Sequence, residues 1–260
     1  MNDRSTTLLL PRLNLFGVCV TPQTLSEAVA RINGWIERGG RTYVCVTGVH
    51  GIIESRRDVR IREIHNAAGM VTTDGMPLVW LSRRRGFPEA ERVYGPDLLL
   101  ACCAAFLPKR RRHFFFGGAP GVAERLASRL SERFPGLEVA GCFSPPFTPP
   151  TPAEDEAIVR RLNGAGADIV WVGLSTPKQE QWMAEHRNRL QSPVLIGVGA
   201  AFDFHAGLKP QAPRWIQRGG LEWLFRLLCE PRRLGKRYLV NNAWFLGMLL
   251  LESVGARKYE

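Results

Sequence analysis

No stretch of this sequence is long and apolar enough to cross a bilayer. The best candidate, Ala243–Leu251, falls well short of the ~20 apolar residues a spanning helix requires. A secretory leader is missing too, because Leu8-Leu9-Leu10 is broken at once by Pro11 and Arg12. The expectation is a cytoplasmic protein that touches a membrane only peripherally, on its inner face. Zinc-ligand spacing is absent. Cys19, Cys45, Cys102, Cys103, Cys142 and Cys229 form no Cys-x-x-Cys pair and no Cys/His cluster, so they read as reduced core residues. Without His-Glu-x-x-His or Gly-x-Ser-x-Gly, zinc proteolysis and a hydrolase nucleophile elbow have no support. Negative charge is scarce. The 24 Asp/Glu face 35 Lys/Arg, a net of +11, which favours anionic partners: nucleic acid, anionic lipid or a phosphorylated substrate.

What is present is an alternation of strand and helix signals. Leu13–Val20 reads as a strand, and Thr21-Pro22 as the cap and first turn of a helix ending at Gly39-Gly40. Tyr43–Thr47 is a strand, Asp58 caps a helix, a strand ends near Thr73, and a helix starts around Pro77. The pattern continues with strands at His113–Phe116, Leu137–Cys142, Asp168–Gly173 and Val194–Gly199. Helices follow the glycine-rich turn at 117–121, then fill Ala153–Asn163 and Pro177–Leu190. Continuous apolar strands between amphipathic helices predict an α/β, Rossmann-like, mostly parallel sheet covered on both faces. After about Lys209 strand signals vanish and aromatic and basic residues interleave. Residues 209–260 carry ten Lys/Arg and four Glu, and read as a helical appendage to a core of residues 1–208.

Ligands of parallel sheets bind outside the carboxyl ends of the strands. Four such ends carry polar or glycine-rich residues. Gly117-Gly118-Ala119-Pro120-Gly121 suits diphosphate binding at a helix start, or merely a tight turn. In Thr73-Asp74-Gly75 the carboxylate suits a general base, a metal ligand or a helix cap. Ser175-Thr176-Pro177-Lys178-Gln179-Glu180 offers hydroxyls, an ammonium and an amide, or a capping box. Gly197-Val198-Gly199-Ala200-Ala201-Phe202-Asp203 fits a pocket wall or close strand–helix packing. His50, at a strand end, is the one histidine placed near this chemistry. No Asp-x-Asp pair is present to hold a divalent ion on a nucleotide diphosphate, so no metal or other cofactor is expected. A basic nucleic-acid-binding protein and an NAD(P)-dependent oxidoreductase are the alternatives. The first lacks a recognised module and the second lacks Gly-x-Gly-x-x-Gly after the first strand, where Gly17-Val18-Cys19 stands.

Taken together, these segments resemble the WecG/TagA/CpsF family of bacterial glycosyltransferases. The likeness runs through Val46–Gly51, Thr72–Trp80, Glu91–Leu98, Phe116–Gly118, Gly173–Glu180 and Gly199–Asp203. It continues in Ala212–Trp215, Gly220–Arg226 and Glu230–Arg233, and so covers nearly the whole chain. The wording Met76-Pro77-Leu78-Val79-Trp80 is closer to the exopolysaccharide branch, and Val49 stands where many members carry Asn. The resemblance implies inverting transfer from a UDP-sugar to a membrane-held polyprenyl-diphosphate glycan in surface polysaccharide synthesis. The donor sugars it leaves open are N-acetylmannosamine, its uronic acid and glucose. It implies Asp74 as the base, with Thr47, Arg92 and Gln179 in the pocket. Gly117, Gly118, Lys178, Gly199 and Asp203 are candidate donor contacts. Arg214, Arg218, Arg226, Arg232 and Arg233 are candidates for lipid headgroups or a diphosphate. The expected partners are therefore nucleotide sugar, lipid-linked acceptor and anionic membrane, not nucleic acid; a homo-oligomer is compatible with all of this.

Overall fold

Two residues at the tip of the first apolar run decide its shape. In the computed structural model, which describes residues 11–146 and 148–255, Phe16 and Gly17 have φ of 57° and 90°. Two consecutive positive φ values make a two-residue hairpin turn. Leu13–Val20 is therefore not one strand but an antiparallel pair, β1 (Leu13–Leu15) and β2 (Val18–Val20). The Asn14 side chain accepts from the Gly17 amide at 2.7 Å and closes the turn. Helix α1 (Leu25–Glu37) also begins later than expected. Its cap is Thr24, in a reciprocal capping box with Glu27. Thr21 is held elsewhere, its amide donating to Val71 O at 2.7 Å. The Leu8-Leu9-Leu10 run and residues 256–260 lie outside the described residues.

The alternation then proceeds through β3 (Thr42–Thr47), α2 (Val49–Arg57), α3 (Val59–Ala67), β4 (Met70–Thr73), α4 (Met76–Arg84) and α5 (Gly95–Phe106). Next come β5 (Arg112–Gly117), α6 (Val122–Arg133), β6 (Glu138–Phe143), α7 (Pro152–Ala165), β7 (Ile169–Gly173), α8 (Lys178–His186), β8 (Val194–Gly197) and α9 (Ala201–His205). Three helices follow: α10 (Arg214–Arg218), α11 (Glu222–Cys229) and α12 (Pro231–Ser253).

The six strands β3–β8 form one parallel sheet in the order β4-β3-β8-β7-β5-β6. Successive side chains of a strand point to opposite faces, and here both faces are buried. Val44, Val46, Ile169 and Trp171 pack with α1, α5, α6 and α9. Tyr43, Cys45, Val170 and Val172 pack with α2, α7, α8 and the hairpin. The second cluster also receives Phe245 and Met248 of α12. Phe245 meets Phe16 edge-on at 5.5 Å, so the hairpin tip and the C-terminal helix hold one another. The consequence for function is positional. All six carboxyl ends open on one side of the sheet, and α10–α12 lie near the loops that leave them. Among the described residues, no helix is long and apolar enough to cross a membrane.

Candidate active site

A cleft of about 1530 Å³ opens at the carboxyl ends of β3, β4, β5, β7 and β8 and is walled on its far side by α11 and α12. That exceeds the roughly 300–1,000 Å³ of a site for one small ligand, so there is room for two substrates. Its lining includes seven Lys/Arg and four Asp/Glu. The excess of cations suits phosphates.

Asp74 stands on the wall at the end of β4. Gly75 is the cap position of α4 and no side chain caps the helix, so the carboxylate is not spent on capping. Its neighbour Arg92 is brought in by the consecutive threonines of β4. Thr72 Oγ1 donates to Val93 O at 3.0 Å and Thr73 Oγ1 to Glu91 O at 2.9 Å, pinning the loop on either side of Arg92. Arg92 then reaches Asp74 Oδ1 at 3.5 Å and, far more closely, Glu222 Oε2 of α11 at 2.6 Å. Its guanidinium lies 3.8 Å above the Tyr94 ring, and the Tyr94 hydroxyl donates to Glu222 Oε1 at 2.6 Å. Burial is the largest influence on Asp74 and pushes its pKa up to about 7; Arg92 works against this and the Glu222 charge adds to it. A carboxylate titrating near neutrality at the edge of a cleft is suited to proton abstraction. Burial, with Arg237 nearby, lowers His50 to about 4, so His50 is neutral at pH 7.

The other expected residues divide. Gln179, Lys178, Gly118, Gly199 and Asp203 line the cleft with Asp74 and Arg92. Gln179 is 2% exposed, and its Oε1 has no partner. Thr47 lies just behind the floor, 2% exposed, with an unpartnered hydroxyl. Gly117 does not line the cleft. A Cβ there would sit 2.7 Å from the Gly173 backbone, and the Gly118 amide donates to Gly173 O at 3.0 Å, so this pair serves close strand packing. The segment before α8 is not a capping box either. Thr176 Oγ1 donates to the Glu180 side chain at 2.9 Å, and no side chain caps the helix. Asp203 pairs with Lys209 at 2.8 Å. Of the five arginines, Arg226 and Arg233 face the cleft; Arg214 pairs with Asp97 at 2.6 Å outside it, and Arg218 and Arg232 are exposed away from it.

Sequence reasoning missed Glu222 and Tyr94 as site residues. Glu222 is 8% exposed although it lies in a helix otherwise rich in exposed apolar residues. An acid that is buried there needs cationic or hydroxyl partners, but nothing in the linear order points to Arg92 and Tyr94. Arg226 and Arg237 line the cleft without an ion pair among the described residues. Arg226 lies over Phe204 at 5.7 Å.

Comparison with known proteins agrees with this geometry. Residues 13–259 match the glycosyl transferase WecG/TagA/CpsF family. The chain is 30% identical over 177 residues to proteins of Staphylococcus aureus strains NCTC 8325, COL and MSSA476. Each of these is named N-acetylglucosaminyldiphosphoundecaprenol N-acetyl-beta-D-mannosaminyltransferase. The match covers 67% of this chain and 66% of each relative, slightly under two thirds of the relative's length.

Proposed function

This chain belongs to the glycosyl transferase WecG/TagA/CpsF family, and on that premise we propose that it moves a sugar from a UDP-sugar to a polyprenyl-diphosphate-linked glycan. The observation that carries the reading is Asp74, an uncapping, burial-raised carboxylate beside Arg92 in a cleft large enough for two substrates. An acceptor hydroxyl is a poor nucleophile until a base takes its proton. In this reading Asp74 accepts that proton as the hydroxyl oxygen bonds to the anomeric carbon of the donor. The bond from that carbon to the diphosphate oxygen breaks on the opposite face, so configuration inverts. The nucleoside diphosphate leaves with the bonding pair. Lys178 and Arg226, which line the cleft, are placed to offset its charge. Gln179, with a free carbonyl oxygen, is available to a donor N–H or hydroxyl. N-acetylmannosamine is the donor sugar favoured by the relatives' names.

The same reading gives residues 1–208 the base and the donor pocket, and residues 209–260 the membrane contact together with Glu222 and Arg226 on the far wall of the cleft. Trp215, Leu228, Leu239, Leu250 and Val254 are each at least 64% exposed. Arg218, Arg232 and Lys236 are exposed beside them. Apolar groups at the interface with cations at the headgroups are how a peripheral protein binds anionic lipid, at about 1 kcal/mol per charge near the surface. The test is a panel of UDP-, GDP- and CDP-sugars with a lipid-diphosphate acceptor, run with magnesium and with excess chelator. Transfer from a UDP-sugar at equal rates in both is expected. Transfer confined to GDP- or CDP-sugars sinks the donor assignment, and loss on chelation sinks the metal-free mechanism.

A further inference from the structure

Helix α12 presents to the cleft a face whose chemistry changes along its length. Arg233 and Arg237 come first, then Tyr238 and Asn242, then Phe245, Leu246 and Leu249. These residues fall in rows spaced by four, the neighbours of a helix surface. From Arg233 to Leu249 the face runs about 24 Å, at 1.5 Å per residue. Across from it stands α4, which begins two residues after Asp74 and contributes Met76, Trp80 and Leu81 to the same cleft. At the near end Gly220 fits against α4 so closely that a Cβ would lie 2.7 Å from the Trp80 ring. At the far end Arg85 and Glu252 join the two helices at 2.5 Å. Between these two tie points the walls are mostly apolar yet open, with Trp80 49% and Leu246 64% exposed, and Arg84 is the charged residue that α4 adds to the cleft.

We infer that this trough between α4 and α12 holds the isoprenoid tail of the acceptor, with its phosphates near Arg237 and its first isoprene units running past Trp80, Leu246 and Leu249. The inference rests on the proposed function and adds a subsite to it. The order of chemistry along α12 selects the occupant. A molecule with a diphosphate on one end of a single hydrocarbon thread matches cation, then amide, then hydrocarbon, read in one direction. Arg237 has no ion pair among the described residues, whereas Arg233 is engaged by Glu230. A bound tail in this position also fixes the glycan end of the acceptor. Arg237 and Asp74 line one cleft, so the sugar beyond the diphosphate enters the space that Asp74 faces.

The experiment uses the full chain and soluble acceptors that carry the same diphosphate-sugar head on prenyl tails of one to four isoprene units, without membrane or detergent. The acceptor KM of the wild type is expected to fall as the tail lengthens and then level off. Leu246→Gln is expected to raise the KM of the longest-tailed acceptor about tenfold, the scale of withdrawing one large apolar side chain. It should leave the KM of the shortest acceptor and of the donor unmoved, which also shows that the fold is intact. Trp80→Ala is the second variant, from the opposite wall. A wild-type KM independent of tail length, or variants that affect short and long tails alike, overturns the inference while leaving the proposed function standing. Equal competition by a single-chain lysophospholipid also overturns it, since the trough would then be a general lipid contact. Direct binding of farnesyl diphosphate against inorganic diphosphate separates the two ideas. If the farnesyl compound binds more tightly, and Leu246→Gln abolishes the difference, the trough stands even where no sugar is transferred.

Discussion

Asp74→Asn is expected to stabilise the protein while disabling it. In the fold Asp74 gives up its proton at about pH 7, against 3.8 for a free carboxyl, chiefly because burial penalises the charge. The stability linked to this group is complete below about pH 4, where both states are protonated. It is lost as pH rises towards 7, because the unfolded chain ionises first. A gap of about three pH units at 1.36 kcal/mol each makes the ionised carboxylate about 4 kcal/mol unfavourable above pH 7. Asparagine has no proton to lose and escapes this entirely. It also leaves α4 unharmed, since that helix takes no cap from residue 74. The lost contact with Arg92 is long, 3.5 Å, and returns little of the gain. Urea unfolding of both proteins at pH 5, 6, 7 and 8 reads the difference. The variant's advantage should widen by about 3 kcal/mol between pH 5 and 8 and then level off. Turnover should fall about 10²–10⁴-fold, the worth of a positioned base. A variant that is less stable at pH 8, with a pH-independent difference, would refute burial as the cause of the raised pKa. Near-normal turnover would remove Asp74 as the base.

Two further outcomes follow from the same geometry. The acidic limb of the wild-type kcat/KM profile should lie near pH 7, and Glu222→Gln should move it to lower pH. That change removes a negative charge that raises Asp74 and leaves Arg92 freer to pair with it; a limb that stays in place or rises would count against the coupling. Full-length Leu239→Gln and Leu250→Gln, 74% and 64% exposed, should each reduce co-sedimentation with anionic liposomes several-fold without altering the melting temperature. Binding should also weaken between ~0.1 and 1 M salt as the Debye length shrinks from about 10 to 3 Å, and unchanged binding in either arm would leave that surface without this role. Point substitutions serve better than cutting at Lys209, which would strip buried Phe245 and Met248 from the core.

The sheet was legible because β3, β5, β7 and β8 are continuous apolar runs between amphipathic segments, a pattern few folds share. Asp74 and Arg92 were legible as motif residues, and the geometry supplies what the motif lacked: an empty cap position and a shared carboxylate. Three things were not legible. The hairpin was missed because Phe16, a bulky residue at φ 57°, is a poor advertisement for a turn. Helix α2 was missed because Gly48 supplies no side-chain cap and Gly51 interrupts its pattern. Glu222 was missed because its partner Arg92 is 130 residues away, and burial of an acid is a property of the fold, not of its neighbours in sequence.

The contact of Phe16 with Phe245 also sets a clock. The hairpin leaves a ribosome well before the helix that it grips. Until α11 and α12 follow, Arg92 and Tyr94 lack Glu222 and the cleft lacks its far wall. Contacts so distant in the chain form late and slow the search for the native state. A nascent or prematurely terminated polypeptide therefore carries Asp74 and Arg92 without Glu222. The far wall of the cleft is complete only when α12 closes over the hairpin turn.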